Sequence, residues 1–256
     1  MQGVDSVQGV ERWRDKVAFV TGASSGIGRA AARKLSRAGL RVAVCGRRKE
    51  RLAVLAAELG QGSVMQLPVD LTQDTSLLRA FDRVRDQWGG VDVLVNNAGV
   101  GFAAPLVSGK IAEWREMLDV NVLSLCIGTR EAVRQMRERG GEGHIFHVSS
   151  LAAYRVLPGG GVYAATKAAV RSLTESLRLE LREIGAPIRV TAVSPGYVQT
   201  EFHAGFFGQE SLAVELYSRH RTLEPDDVAD AVMYALGAPP HVQVHDILLR
   251  SSEQPT

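Results

Sequence analysis

Tyr163 and Lys167 stand four residues apart in YAATK, a spacing that stacks two side chains on one face of a helix. Reducing a carbonyl needs an acid that gives a proton to the developing alkoxide, and oxidising an alcohol needs the conjugate base. A free tyrosine, with a pKa near about 10, is a poor base at neutral pH until a nearby ammonium favours its anion. Lys167 supplies that ammonium. Ser150, thirteen residues before Tyr163, follows the apolar run HIFHVS (144–149) and is placed to hydrogen-bond and orient a substrate oxygen. Tyr and Lys share helix faces by chance often enough that the pair alone says little. It gains weight from the strand that ends in Ser149-Ser150 and from a nucleotide-binding pattern upstream.

That pattern begins where VAFVT (17–21) runs into TGASSGIG. Gly22, Gly26 and Gly28 fall where the chain must turn sharply and enter a helix, and the helix start offers free N–H groups and partial positive charge to a pyrophosphate. Gly22, Ser24, Ser25, Gly26, Ile27 and Gly28 are therefore expected to cradle a dinucleotide, although the spacing is GxxxGxG and not GxGxxG. One glycine could serve the turn alone; three between a clean strand and a helix point to the cradle. The end of the second strand reads Cys45-Gly46-Arg47-Arg48, with no acid before Glu50. An acid there would bond the ribose 2′-OH of NAD, whereas arginine suits the 2′-phosphate of NADP. The expected cofactor is NADP(H), with Arg47 as first choice for the phosphate and Arg48 behind it.

TGASSGIG, NNAG (96–99), Asn121 in LDVNVL, the Ser150/Tyr163/Lys167 set and PGYVQT (195–200) together resemble the short-chain dehydrogenase/reductase superfamily, in order and over nearly the whole chain. The resemblance implies that Asn97, Ala98 and Gly99 border the adenosine side and that Asp70 and Leu71 meet the adenine. It implies that Asn121 joins Lys167 through water in a proton relay, that Lys167 with Tyr163 also reaches the cofactor, and that Pro195, Gly196, Val198 and Thr200 flank the nicotinamide. Taken without it, Asn96 and Asn97 read as turn residues and Asn121 as a polar residue within a helix. Both ends of the chain further resemble the branch that holds dehydrogenase/reductase SDR family member 11 and the insect farnesol dehydrogenases. That branch implies NADP(H) and 3-keto or 17-keto steroids, isoprenoid alcohols or other apolar carbonyl compounds. Set beside that resemblance, the segment from Ser150 to Tyr163 looks shorter and more glycine-rich than in the steroid-reducing member, and this loop should border the substrate.

The elements that must position these residues follow from the apolar pattern. Near-continuous apolar runs at 17–21, 42–46, 91–96, 144–149 and 188–194, with another at 63–70, mark strands covered on both faces, and 245–250 is expected to add an edge strand near the end. Amphipathic stretches at 25–39, 49–59, 74–88, 111–139 and 163–184 alternate with them. The expected fold is α/β: a single Rossmann-type, doubly wound parallel sheet with flanking helices, over residues 13–256. Residues 1–12 are expected to form a mobile tail. Residues 200–224, which no strand claims, are expected to form a flexible lid, with Phe202, Phe206 and Phe207 lining an apolar substrate pocket together with Phe102, Tyr154 and Leu157. Gly205 and Gly208 should loosen any helix there, while Leu212 and Leu216, four apart, could equally pack on the core.

The remaining composition narrows the function classes. With 30 basic and 28 acidic residues the net charge is +2, which exerts no general pull toward nucleic acid or an anionic membrane. No run of apolar residues is long enough to span a bilayer and the first residues lack an apolar signal core, so a cytoplasmic protein without membrane insertion is expected. Cys45 and Cys126 have no metal-type neighbours and read as reduced core residues, with no metal expected. The expected reaction is hydride transfer between NADP(H) and a lipophilic ketone or alcohol, by a homodimer or homotetramer. Rival readings are a reductase of the same superfamily acting on acyl-carrier thioesters or sugars, and a nonenzymatic NADP-binding sensor. An acidic acyl carrier would call for a basic rim, yet the lid carries Glu201, Glu210 and Glu215. A sensor would have lost Ser150, Tyr163 or Lys167.

Overall fold

A computed structural model describes residues 9–60, 62–156 and 159–255. Valine-rich segments form the strands Val17–Thr21 (β1), Arg41–Gly46 (β2), Val64–Pro68 (β3), Val93–Asn96 (β4), Gly143–Val148 (β5), Ile188–Pro195 (β6) and Asp246–Leu249 (β7). They make one seven-stranded sheet in the order β3-β2-β1-β4-β5-β6-β7, every pairing parallel. Because side chains alternate along a strand, each face of the sheet is apolar. Ala18 and Val20 face a layer containing Leu35, Leu52, Val228 and Leu236; Val17 and Phe19 face Leu77, Phe81, Met136 and Leu181. The doubly wound α/β fold is the one expected.

The helices Gly26–Arg37 (α1), Lys49–Leu59 (α2) and Asp74–Trp88 (α3) fall where the sequence places them. The long stretch at 111–139 divides into Ile111–Leu118 (α4), a π-helical turn over Asp119–Leu123, and Ser124–Glu138 (α5). Gly161–Glu183 (α6) follows. The connections reverse direction between β1 and β4, so a crevice opens beyond the carboxyl ends of these two strands, the usual place for a ligand in such a sheet.

In four places the structure adds to the sequence reading or departs from it. The helix Pro225–Gly237 (α9) is absent from the sequence reading, because its apolar residues run almost all the way round: Val228, Ala229, Val232, Met233, Ala235 and Leu236 are all buried, which blurs any periodicity. Its start is nonetheless written in Pro225 and in a reciprocal cap between Glu224 and Asp227. Residues 9–12 do not hang free as tail. Val10 is buried, Arg12 donates to the carbonyls of Leu236 (3.2 Å) and Ala238 (2.7 Å), and the buried Trp13 donates its indole N–H to Leu236 O (3.1 Å). These bonds satisfy carbonyls that the end of α9 leaves without helical partners; the rest of the expected tail, residues 1–8, lies outside the described residues. Segment 200–224 folds into two helices, Phe202–Phe207 (α7) and Glu210–Ser218 (α8), and Leu223 bridges to Val198. Gly205 sits inside α7, and Gly208 ends it at φ 68°, a left-handed position suited to glycine. Of the leucine pair, Leu216 is buried and Leu212 exposed. Cys126 is only half-buried on α5, whereas Cys45 is fully enclosed, burial pushing its thiol up to about 12.

Among the described residues no helix is long and apolar enough to cross a membrane, and no His, Cys, Asp and Glu side chains are grouped to hold a metal ion.

Candidate active site

β5 ends at Val148, and the next two residues carry the first polar groups of the crevice. Ser149 Oγ donates to the carbonyl of Lys167 (3.1 Å), tying the strand end to α6. Ser150 has extended backbone, and its hydroxyl accepts from Ala152 N–H (3.1 Å), which starts the turn after the strand. On α6, Tyr163 and Lys167 lie one helical turn apart, with Lys167 Nζ 5.8 Å from the centre of the Tyr163 ring. Burial pushes the phenol up to about 12, while its hydrogen bond with Ser150 pulls the other way. The lysine is also buried and brought down to about 8, and its Nζ donates to Val148 O (2.9 Å). Sequence reasoning expects the ammonium to favour the tyrosinate. Burial works against that effect and raises the phenol.

Asn121 lies in the π-helical turn, a feature often found at functional sites. Its amide accepts from Val100 N–H and donates to Val100 O (both 2.8 Å), and it donates to Thr166 Oγ1 (3.0 Å). It therefore fixes the segment after NNAG against α6. A side chain at Gly99 would stand 3.4 Å from both Asn121 Oδ1 and Lys167 Nζ, so glycine keeps the space between them open.

The glycine-rich turn is held from β4. Thr21 Oγ1 accepts from the N–H groups of Asn97 and Ala98 (3.0 Å each), and Asn97 Nδ2 donates to Thr21 O (2.9 Å). A Cβ on Gly28 would fall 2.4 Å from Asn97 Nδ2 and 2.5 Å from Gly22 O, so the turn can close only over glycine. Gly22 and Gly26 have φ of 66° and 52°. The first turn of α1 holds no acid, and Ser25 makes no side-chain cap, which leaves the N–H groups of Gly26, Ile27 and Gly28 facing the crevice as anion donors. These features fit a pyrophosphate.

Two arginines follow β2, and the one that reaches the turn is Arg48, the second choice for the phosphate in the sequence reading. Arg48 donates to Ser24 Oγ (3.0 Å) and Ser25 Oγ (2.6 Å) in the turn, whereas Arg47 is largely exposed and 3.6 Å from Glu116. Arg48 and the neighbouring Arg51 both also pair with Glu201, at 2.6 and 2.5 Å. Asp70 turns its carboxylate onto Thr72 N–H and Oγ1 (3.0 and 2.9 Å), and Leu71 is buried in the core below.

After β6, Gly196 N–H donates to Leu249 O (2.8 Å), and the Gln254 side chain accepts from Tyr197 N–H (3.0 Å) over a Gly196 whose Cβ would collide with it. Pro195 closes β6, and Val198 is buried at the bridge to Leu223. Thr200 packs on Gly26. Tyr217 on α8 brings its hydroxyl to Thr200 O (2.9 Å) and His203 Nδ1 (2.8 Å), tying both helices of the segment to this strand exit.

Phe202 and Phe206 of α7 lie over the phenol, ring centres 5.2 and 5.9 Å from that of Tyr163. They also close on Gly101, where a Cβ would meet Phe202 at 2.5 Å, and Ala103 N–H donates to Phe206 O (2.9 Å). Phe207 packs edge-on against Phe206, and Phe102 is half-buried in the facing segment. Tyr154 goes elsewhere: its ring lies under Arg171 (3.9 Å) and its hydroxyl bonds to Asp246 on β7. These contacts engage it in a polar edge of the sheet. Leu157 lies outside the described residues. Sequence reasoning missed Thr21, Arg51, Tyr217 and Gln254; the threonine directly before Gly22 was the one signal available, since the other three act over long separations.

A model of the family described as short chain dehydrogenase matches residues 16–211. Dehydrogenase/reductase SDR family member 11 of Bos taurus is 45% identical, over 96% of this chain and 100% of its own. Farnesol dehydrogenase of Aedes aegypti is 39% identical, over 94% of this chain and 98% of its own. Among solved structures, the closed form of a serine dehydrogenase complexed with NADP+ superimposes with a TM-score of 0.89 at 33% identity, covering 94% of this chain and 96% of that one.

Proposed function

The chain belongs to the short chain dehydrogenase family, and from that premise we propose that it transfers hydride between NADP(H) and a lipophilic ketone or secondary or isoprenoid alcohol. The observation that carries this reading is the Tyr163 phenol, one helical turn from the buried Lys167 and packed against the rings of Phe202 and Phe206. A half-buried acid beside an apolar wall suits a carbonyl whose substituents are apolar and whose oxygen meets the phenol and the Ser150 hydroxyl together.

The cradle of Gly22, Ser24, Ser25, Gly26, Ile27 and Gly28 holds the pyrophosphate, Arg48 takes the 2′-phosphate, and Pro195, Gly196, Val198 and Thr200 border the nicotinamide. A similar fold complexed with NADP+ and the lack of an acid at the end of β2 support that cofactor. When bound, it supplies the hydride to the carbonyl carbon or accepts it from the alcohol. Ser150 orients the oxygen, and Tyr163 gives it a proton in reduction or takes one in oxidation. Lys167 replenishes that proton, with Asn121 holding the space beside it. Asn97, Ala98, Gly99, Asp70 and Leu71 border the adenosine. Residues 200–224 act as the lid, with Phe202, Phe206, Phe207 and Phe102 against substrate.

The groove between α5 and α6, where Leu125, Val133, Leu173 and Leu177 are rimmed by Arg130, Arg134, Arg137, Glu138 and Glu180, suits a second copy, and light scattering on the purified protein gives the assembly directly. The activity is tested with NADPH and a panel of ketones, followed by loss of nicotinamide absorbance. Turnover of long-chain apolar ketones supports the reading, and turnover confined to sugars or to acyl-carrier thioesters rejects it.

A further inference from the structure

Glu201 stands between the cofactor cradle and the cover over Tyr163, and its position as the residue before α7 does not explain its contacts. Glu201 makes no cap to the N–H groups of α7. Its two carboxylate oxygens go instead to Arg48 (2.6 Å) and Arg51 (2.5 Å). Arg48 is thereby divided: one side of its guanidinium lies on Ser24 and Ser25 of the cradle, the other on the carboxylate. The next residue, Phe202, is part of the wall over the phenol.

We propose that Glu201 holds the place of the 2′-phosphate on Arg48, so that binding of the phosphorylated cofactor displaces it and frees the first turn of α7. The inference rests on the NADP(H) reading above. A carboxylate and a phosphate cannot both sit against one guanidinium without strong repulsion, and the phosphate carries the larger charge. Arg51 alone, half exposed, is too weak an anchor to keep the displaced carboxylate fixed. NAD(H), lacking the phosphate, leaves Glu201 where it is. Cofactor choice thus depends on Glu201 as well as on the arginines, and the coupling is mutual: α7 held by Glu201 weakens phosphate binding by the same factor that phosphate loosens α7. Since exposed ion pairs shift equilibria by no more than about fivefold each, the effect is a bias and not a lock.

Calorimetry with 2′,5′-ADP and 5′-AMP on the full chain and on Glu201→Gln, together with amide exchange over residues 201–207, tests the proposal. The unaltered protein is expected to bind 2′,5′-ADP more tightly than 5′-AMP, and only 2′,5′-ADP should speed exchange at the start of α7. Glu201→Gln should tighten 2′,5′-ADP by about threefold, leave 5′-AMP unchanged, and show the faster exchange before any ligand is added. If the unaltered protein prefers 2′,5′-ADP but Glu201→Gln binds it equally or more weakly, or if 2′,5′-ADP slows exchange in α7, the role of Glu201 is overturned and the NADP(H) reading stands. No preference for 2′,5′-ADP in the unaltered protein overturns both.

Discussion

The ring centres of Tyr163 and Phe202 stand 5.2 Å apart, tilted at 46°, so the first residue of α7 forms part of the wall around the phenol. Phe206, one turn further, meets the same ring edge-on at 74°. Two side chains of a six-residue helix thus pack on the group that must exchange a proton with substrate. The same contacts account for the raised phenol, because burial disfavours the tyrosinate.

Removing that wall should cost most for large apolar substrates. In a series of alkyl ketones, kcat/KM is expected to rise as each buried methylene adds about 0.8 kcal/mol, until the space under α7 is full. Phe202→Ala should flatten the series while leaving the smallest ketone within about threefold of the unaltered rate. A series that is flat or falling before any substitution would show a polar pocket.

Cofactor binding separates two adjacent arginines. Arg48→Ala should weaken NADPH by on the order of 1.5–3 kcal/mol, the scale of a charge-assisted hydrogen bond, and barely alter NADH. Arg47→Ala, at a largely exposed side chain, should do much less. Gly46→Asp should favour NADH, and its Cβ would meet Ser24 Oγ at 3.5 Å, an ordinary contact. Dissociation constants from nicotinamide fluorescence check all three, and equal losses for the two alanine variants would refute the assignment.

Acid should destabilise the fold through buried neutral histidines. His147 on β5 is bonded by Thr174 (2.9 Å) and Thr129 (3.0 Å), and burial lowers it to about 3; His203 falls to about 4 and His144 is also strongly lowered. Between pH 6.5 and the folded values the unfolded chain takes up protons that the native state refuses, so stability drops as pH falls through that window. For His147 alone the loss from pH 7 to pH 5 is on the order of 2 kcal/mol. Urea unfolding at the two pH values measures it, and His147→Gln should reduce the slope. Equal midpoints at both pH values would contradict the account.

What the sequence made legible was local. VAFVT running into TGASSGIG, and Tyr163 four residues before Lys167, each lie within one strand-turn-helix or one helix face, where spacing alone fixes who meets whom. Other features depend on residues distant in the chain. Glu201 meets Arg48 and Arg51 across 153 and 150 positions, and Gln254 reaches Tyr197 across 57; no periodicity marks either. Arg47 and Arg48 carry the same charge, and only the backbone at the start of α2, with Arg48 at φ −88° and ψ 88°, decides which one faces the cradle. Tyr154 looked like pocket lining because it follows Ser150 closely, but Asp246 on the last strand claims its hydroxyl. The raised phenol of Tyr163 was equally hidden, since it depends on how α7 folds back over it.

The role of Tyr163 as proton donor is tested most directly by Tyr163→Phe, assayed for NADPH binding and for reduction of a lipophilic ketone in the same preparation. Loss of the hydroxyl leaves the ring to pack under Phe202 and Phe206 and removes only the group that protonates the substrate oxygen. NADPH should bind as before, while kcat falls by at least about a hundredfold, the scale of general acid–base assistance. A variant that binds NADPH normally and keeps half its turnover would contradict the account.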